Sequence, residues 1–431
     1  MKFPRPDRKL LVFCISTLIF ILIGGRYLFH CTVDFFPVYT GARCLLHGCN
    51  PYDTSQLDQQ FFQAGGHVTE RPVWTDTPPV YPPSTFIVIS PLALFRIPVA
   101  RLLWSLMNVC LFVTSAGLIL SLCPQSYRWF ATTLVSLILA SSGMLLSLGN
   151  PAIFSISLLV IGSYLFLRDR NLRLGAILLM LSIAVKPQIG GLIVLYLLVR
   201  GIHRRYAVAA IAGALALLLS AGLMLSLQPR SADWTSALRT NISAAEDPGG
   251  VNDSRPTNKA AYYFINLQAI TGVFFTDARE YNSAAWAIFL ALLAVWIAAV
   301  LRANAGLEMN LLSIGALAVL SLMPVYHRYY DARLLLISIP AVLIVYQRRR
   351  LLGACIGALT IIVLISVQSR LQAFIVGHAM WQSIEQNKIL FILLLRQQNL
   401  ELTILFCLYL VAVYSIRFSS TPATAIASPA H

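Results

Sequence analysis

Asp34 opens an aromatic segment, Asp34-Phe35-Phe36-Pro37-Val38-Tyr39, about five residues after the first long apolar run. A carboxylate there can take the proton of a hydroxyl group within hydrogen-bond reach, as a general base does. Its other readings are an interfacial helix cap and a partner for nearby Arg43. Lys186 stands alone among apolar residues, and Pro187 after it interrupts any helix and frees backbone groups at the turn. A compact ammonium at such a break can hold a phosphate and stabilise it as a leaving group, with Gln188 beside it. A lysine at a helix end can also simply snorkel to the interface. His327, Arg328, Asp331 and Arg333 are interleaved with Tyr326, Tyr329 and Tyr330. Histidine and arginine can share a phosphate, whereas tyrosines suit either a sugar or an interfacial belt, so this cluster is open to both readings. Tyr81-Pro82-Pro83 fixes an extended turn into an apolar helix, and Gly149-Asn150-Pro151 makes a tight hairpin. Structural roles suffice for both, although Asn150 also has an amide to offer a substrate.

The elements that position these residues follow from composition. Of 431 residues, 58% are hydrophobic and 11% charged, with a mean hydropathy of +0.74. That is more apolar surface than a soluble core can bury, so the solvent is largely lipid. A spanning helix needs roughly 17 to 25 apolar residues. Runs of that kind lie near Leu10–Phe29, Val99–Leu122, Trp129–Leu148, Ala152–Leu167, Leu172–Val185, Ile189–Val199 and Tyr206–Leu227. Further runs occupy Ser283–Leu301, Leu307–Val325, Leu334–Tyr346, Leu351–Gln368 and Leu400–Ile416, while Ser84–Phe95 reads as a re-entrant or interfacial helix. The expectation is an all-α polytopic membrane protein of about twelve spans, with residues 1–417 as one domain. The Ser/Thr/Pro/Ala-rich tail 418–431 reads as disordered and cytoplasmic.

The formal charge of +15 sits in short clusters between apolar runs, which argues for topology and against nucleic acid. Arg168, Arg170 and Arg173; Arg200, Arg204 and Arg205; and Arg348 to Arg350 all occupy short loops, so the positive-inside rule makes those loops cytoplasmic. Leu172–Val199 must then go out and return, turning at Lys186-Pro187-Gln188. Arg96 and Arg101 fall outside in this scheme, against the rule. Two long loops, 30–98 and 228–282, also emerge outside. Asp34, Tyr81, Asn150, Lys186 and His327 thus converge on one face, although apolar length and arginine position alone set the topology. Polar groups near the hydrocarbon boundary tend to face a protein interior or an aqueous cavity. Cys31, Cys44 and Cys49 share the first outer loop, where a disulfide can form. No Cys-x-x-Cys pair suggests a metal.

Taken in order, several segments resemble the polyprenol-phosphate-mannose-dependent mannosyltransferases of glycosyltransferase family 87, within the GT-C superfamily. The matching pieces are Asp34 to Tyr39, Gly48-Cys49-Asn50-Pro51-Tyr52, Tyr81-Pro82-Pro83 with Pro91-Leu92, Gly149-Asn150-Pro151 and Lys186-Pro187-Gln188. His327 and its tyrosines extend the similarity into the second half, more weakly. The resemblance implies a GT-C fold with interfacial helices in the first outer loop. It makes Asp34 the catalytic base and Lys186 and His327 the binders of the donor phosphate; beside them, Arg328 is expected at the phosphate and Gln188, Asn150, Tyr81, Tyr330 and Arg43 about the substrates. It implies a polyprenyl-phosphate sugar as donor, a lipid or glycan as acceptor, and a bacterial inner membrane with the site on its outer side. Asp34 is followed by Phe35, so the paired acid of many GT-C enzymes is absent and no metal or other cofactor is expected. A phosphate leaving group needs no protonating acid, which suits one carboxylate, and inversion at the anomeric carbon should result. The competing class is a transporter or lipid flippase, which also needs a polar cavity among many spans. That reading calls for charges near the bilayer midplane and for related halves, and no internal repeat is apparent.

Overall fold

The computed structural model describes residues 7–26, 33–67, 79–303, 306–365, 367–378, 383–384 and 386–417. Within them every regular element is helical. The chain runs through α1 (Arg8–Arg26), α2 (Phe35–His47), α3 (Thr54–Gln63), α4 (Pro83–Ala93), α5 (Ile97–Leu122), α6 (Arg128–Ser141), α7 (Gly143–Leu148) and α8 (Pro151–Leu167). It continues through α9 (Leu172–Val185), α10 (Pro187–Val199), α11 (Arg204–Leu227), α12 (Trp234–Glu246), α13 (Gln268–Thr271), α14 (Ala278–Leu301) and α15 (Leu307–Ser321). A 3-10 helix (Tyr329–Ser338) then leads into α16 (Ile339–Arg348) and α17 (Arg350–Ile365), and the last long helix is Gln397–Arg417.

Seven of the described segments are long and apolar enough to cross a membrane: Arg8–Gly25, Ile97–Leu122, Gln125–Leu148, Arg204–Leu227, Ala278–Leu301, Tyr329–Arg348 and Gln397–Ile416. Six shorter apolar helices accompany them, including α8, α9 and α10. This is a polytopic all-α membrane protein, and the expected twelve spans would require most of the short helices to cross as well. Residues 418–431 and Cys31 lie outside the described residues.

The first long loop is not irregular. Its helices α2, α3 and α4 bury Phe35, Phe36, Tyr39, Leu57, Phe61 and Phe86 in a core shared with Trp104 of α5 and Phe154 of α8. Tyr81-Pro82-Pro83 starts α4, with Pro83 preset for its first turn. Arg101, which the charge rule would put inside, is buried with its guanidinium 5.1 Å from the centre of the Phe36 ring. Its charge is therefore used in packing. The two long loops meet: Asn50 Nδ2 donates to Asp233 Oδ1 at 3.2 Å, and Asn241 Nδ2 donates to the carbonyls of Tyr52 and Pro79 at 3.0 and 3.1 Å. Cys44 and Cys49 are joined by a disulfide in the turn after α2.

Between α9 and α10 the backbone breaks at Lys186 (φ −141°, ψ 84°). A Cβ built on Gly190 would lie 3.1 Å from Ser182 Oγ, so α10 folds back on α9 and does not continue it. At 14 and 13 residues, the two helices are about 20 Å long each, short of a hydrocarbon core of roughly 30 Å. A hairpin of such arms that starts at one membrane face would turn short of the other. Ser84 Oγ donates to Ala184 O at 2.6 Å and Thr85 Oγ1 to Val185 O at 3.1 Å. The start of α4 thus satisfies carbonyls that end α9 just before the proline. A cysteine at Gln188, in a background without the free cysteines, should react with an impermeant maleimide from the same side as one in the 228–282 loop. Reaction from the side of Arg348–Arg350 would rule out the hairpin orientation.

Candidate active site

The Gly149-Asn150-Pro151 turn joins α7 to α8 and carries the group that holds Asp34. Gly149 is left-handed (φ 67°), and a Cβ there would lie 2.8 Å from Phe35 Cβ, so both conformation and space call for glycine. Trp104 Nε1 donates to Gly149 O at 2.9 Å, and Asp34 N donates to Leu148 O at 3.1 Å, which fixes the turn against the start of α2. Asn150 uses its whole side chain. Its Oδ1 caps α8 by accepting from Ala152 N at 2.8 Å, while Nδ2 donates to Asp34 Oδ2 at 2.8 Å and to the Tyr330 hydroxyl at 3.1 Å. Asp34 occupies the N-cap position of α2 but makes no side-chain cap bond, and its carboxylate is turned to Asn150.

Burial raises the Asp34 pKa above the ordinary aspartate value; the Asn150 hydrogen bond, Arg328 and Lys186 work against it, and Asp331 adds to it. These residues therefore share one electrostatic neighbourhood. Tyr81 belongs to it too: its hydroxyl is pushed well above the usual tyrosine range, first by burial and then by the Asp34 and Asp331 carboxylates.

The second part of the site is organised by Asp331, at 2% exposure. Its Oδ1 accepts from Lys186 Nζ at 3.0 Å, and its Oδ2 lies 3.1 Å from His327 Nδ1 and accepts from Arg328 N at 3.2 Å. With Nδ1–H donated to this carboxylate, His327 leaves Nε2 buried and, among the described residues, without a hydrogen-bond partner. Lys186 spends one of its three N–H donors on Asp331. Arg328 lies over the Tyr326 ring, 5.6 Å from its centre, and its Nε donates to the Tyr326 hydroxyl. The second long loop closes the wall behind them: Ile265 N donates to His327 O at 3.0 Å, and Phe264 pairs with Arg328 in an isolated antiparallel bridge.

Asp34, Tyr81, Asn150, Lys186, His327, Arg328 and Tyr330 are thus brought together, and Gln188 is half-buried in the first turn of α10. Arg43 is not among them. Its Nη1 donates to Ala93 O at 3.1 Å and closes the end of α4 within the loop core. Arg333 also turns away from the cluster, bonding Ser142 Oγ, Leu364 O and Ser141 O. Two features of the site are only weakly marked in the sequence. Asp331 appears there only as one member of a charged cluster, although its place four residues after His327 permits a pairing across one helical turn. The backbone contacts of residues 264 and 265 carry no pattern in the sequence.

An all-α membrane protein with a carboxylate, a lysine, an arginine and a histidine gathered about one helix break suits group transfer from an anionic donor. The model of glycosyltransferase family 87 matches residues 80–325, more than half of the chain, and the protein belongs to that family. It is a membrane glycosyltransferase. No curated protein and no solved structure matches it.

Proposed function

We propose that the protein transfers a hexose from a polyprenyl-phosphate donor to a hydroxyl of a lipid or glycan acceptor on the non-cytoplasmic face, with Asp34 as general base. Mannose is the sugar that the resemblance favours, and a bacterial inner membrane is the setting it implies. The observation that carries this reading is the Asp34 carboxylate, held by Asn150 and within electrostatic reach of Arg328, Lys186 and Asp331, the last two paired with each other.

In the proposed reaction the acceptor hydroxyl gives its proton to Asp34 as its oxygen bonds to the anomeric carbon. The bond from that carbon to the phosphate oxygen breaks, and its electron pair leaves with the lipid phosphate. Charge developing on that oxygen meets the remaining N–H donors of Lys186 and the Arg328 guanidinium. Asp331 holds Lys186 and His327 in place, which limits the rearrangement needed when the charge appears. Attack opposite the departing phosphate inverts the anomeric centre.

The test is incubation of the purified protein in nanodiscs with polyprenyl-phosphate hexoses and a mixed lipid and glycan acceptor fraction, following release of polyprenyl phosphate. Release that requires an acceptor, with a product of inverted configuration, is expected. Consumption of nucleotide sugars in place of every polyprenyl-phosphate sugar would refute the donor assignment.

A further inference from the structure

Beyond the carboxylate and the cations, a file of tyrosine rings leads out of the site. Tyr330 receives the Asn150 amide on its hydroxyl, and its ring is 5.6 Å from Tyr329. Tyr329 is 5.5 Å from Tyr263, and Tyr263 is 4.0 Å from Tyr262, all between ring centres. Tyr330 is buried, whereas Tyr329, Tyr263 and Tyr262 are each half-buried, so the file runs from the interior to the surface. Tyr262 and Tyr263 belong to the 3-10 helix Lys259–Tyr263 of the second long loop. That loop is fixed here because residues 264 and 265 are bonded to the backbone of Arg328 and His327.

We propose that Tyr262, Tyr263 and Tyr329 form a wall that seats the sugar rings of a carbohydrate-bearing acceptor, with the attacking hydroxyl directed along Tyr330 and Asn150 to Asp34. This rests on Asp34 as the base and narrows the acceptor from lipid or glycan to a glycan. A pyranose has faces of C–H groups and an edge of hydroxyls. A tyrosine has an apolar ring and a polar tip, so a row of tilted tyrosine rings can match both at little conformational cost. An acceptor whose only polar group was a lipid alcohol would make no use of such a wall beyond its innermost ring. An interfacial belt is the competing explanation of tyrosines in a membrane protein. Belts place rings around helix ends at headgroup level. Here the rings come from two segments far apart in sequence and are ordered toward one carboxylate.

The experiment uses the full chain in nanodiscs and reads binding without a donor. Saturation-transfer NMR is recorded for methyl glycosides of manno-, gluco- and galacto-disaccharides, with unsubstituted protein, Asp34→Asn, Tyr262→Ala/Tyr263→Ala and Tyr262→Phe/Tyr263→Phe. Transfer to at least one disaccharide is expected with the unsubstituted, Asp34→Asn and Phe proteins, and a loss of about tenfold or more with the Ala protein, a scale fitting loss of stacked rings. Saturation transfer to none of the three, or equal transfer to the Ala and unsubstituted proteins, would overturn the wall. Because Asp34→Asn is tested for binding here and for turnover separately, failure of the base assignment shows up as retained turnover and leaves this readout intact.

Discussion

Asp34→Asn protein should bind the lipid-phosphate donor as the unsubstituted protein does and transfer almost no sugar. The substitution keeps the size of the side chain and leaves an oxygen to accept the Asn150 amide, which now donates to Asp34 Oδ2 at 2.8 Å. It removes the one thing a base needs, a carboxylate that can take a proton. General base catalysis contributes typically 10²- to 10⁴-fold, so a fall of that order in kcat, with little change in donor affinity, is the expected result. The pH profile gives a second reading. Burial raises the Asp34 pKa, and the active form is the ionised one, so kcat/KM should rise with pH through a value above that of free aspartate. That limb should vanish in Asp34→Asn. Turnover close to the original rate would move the base elsewhere, with Glu70 and Asp76, which lie outside the described residues, next in line. Donor binding lost together with transfer would make Asp34 a positioning residue.

Much of what surrounds Asp34 is legible in the sequence, for reasons that differ by element. Apolar length and the arginine clusters give the membrane class, and Lys186-Pro187 marks the break between α9 and α10 because a proline cannot continue the ladder of hydrogen bonds. The turn at Gly149 is legible for the same kind of local reason. What a local pattern cannot give is the partner. Ser84 and Thr85 read as the start of an apolar helix, and nothing marks their hydroxyls as the donors for Ala184 and Val185, one hundred residues on. Helices in the long loop 30–98 are expected from the apolar run Ser84–Phe95 and from the resemblance, but no local pattern marks the core that its aromatic residues make with α5 and α8. Ser141–Gly143 reads as the middle of one span, Trp129–Leu148, whereas the helix breaks at Ser142, whose hydroxyl accepts from Arg333 Nε at 3.1 Å. Arg43 shows the converse. Its nearness to Asp34 in sequence suggests a shared site, but a helix turns it toward the carbonyl of Ala93.

Lys186 and Asp331 are the hardest pair to read, because one interaction serves both structure and the proposed chemistry. Lys186→Met should reduce turnover by roughly 10²-fold or more, the scale of losing one electrostatic stabiliser of a leaving group. Lys186→Arg should restore only part of it, since a planar fork replaces a point charge. Either Lys186→Met or Asp331→Asn alone should also destabilise the protein, because each leaves a buried partner uncompensated. The lysine and the aspartate are 10% and 3% exposed at the side chain, and breaking a buried pair costs about 3–5 kcal/mol. The double variant Lys186→Met/Asp331→Asn separates the roles. With both charges gone, the melting temperature should recover much of the loss, since no unpaired ion remains. Turnover should not recover, because the donor phosphate still lacks its ammonium and His327 has lost the carboxylate that fixes its Nδ1. If turnover returns along with stability, Lys186 serves only to neutralise Asp331. In that case the leaving phosphate must rely on Arg328, the other cation that works against the raised Asp34 pKa.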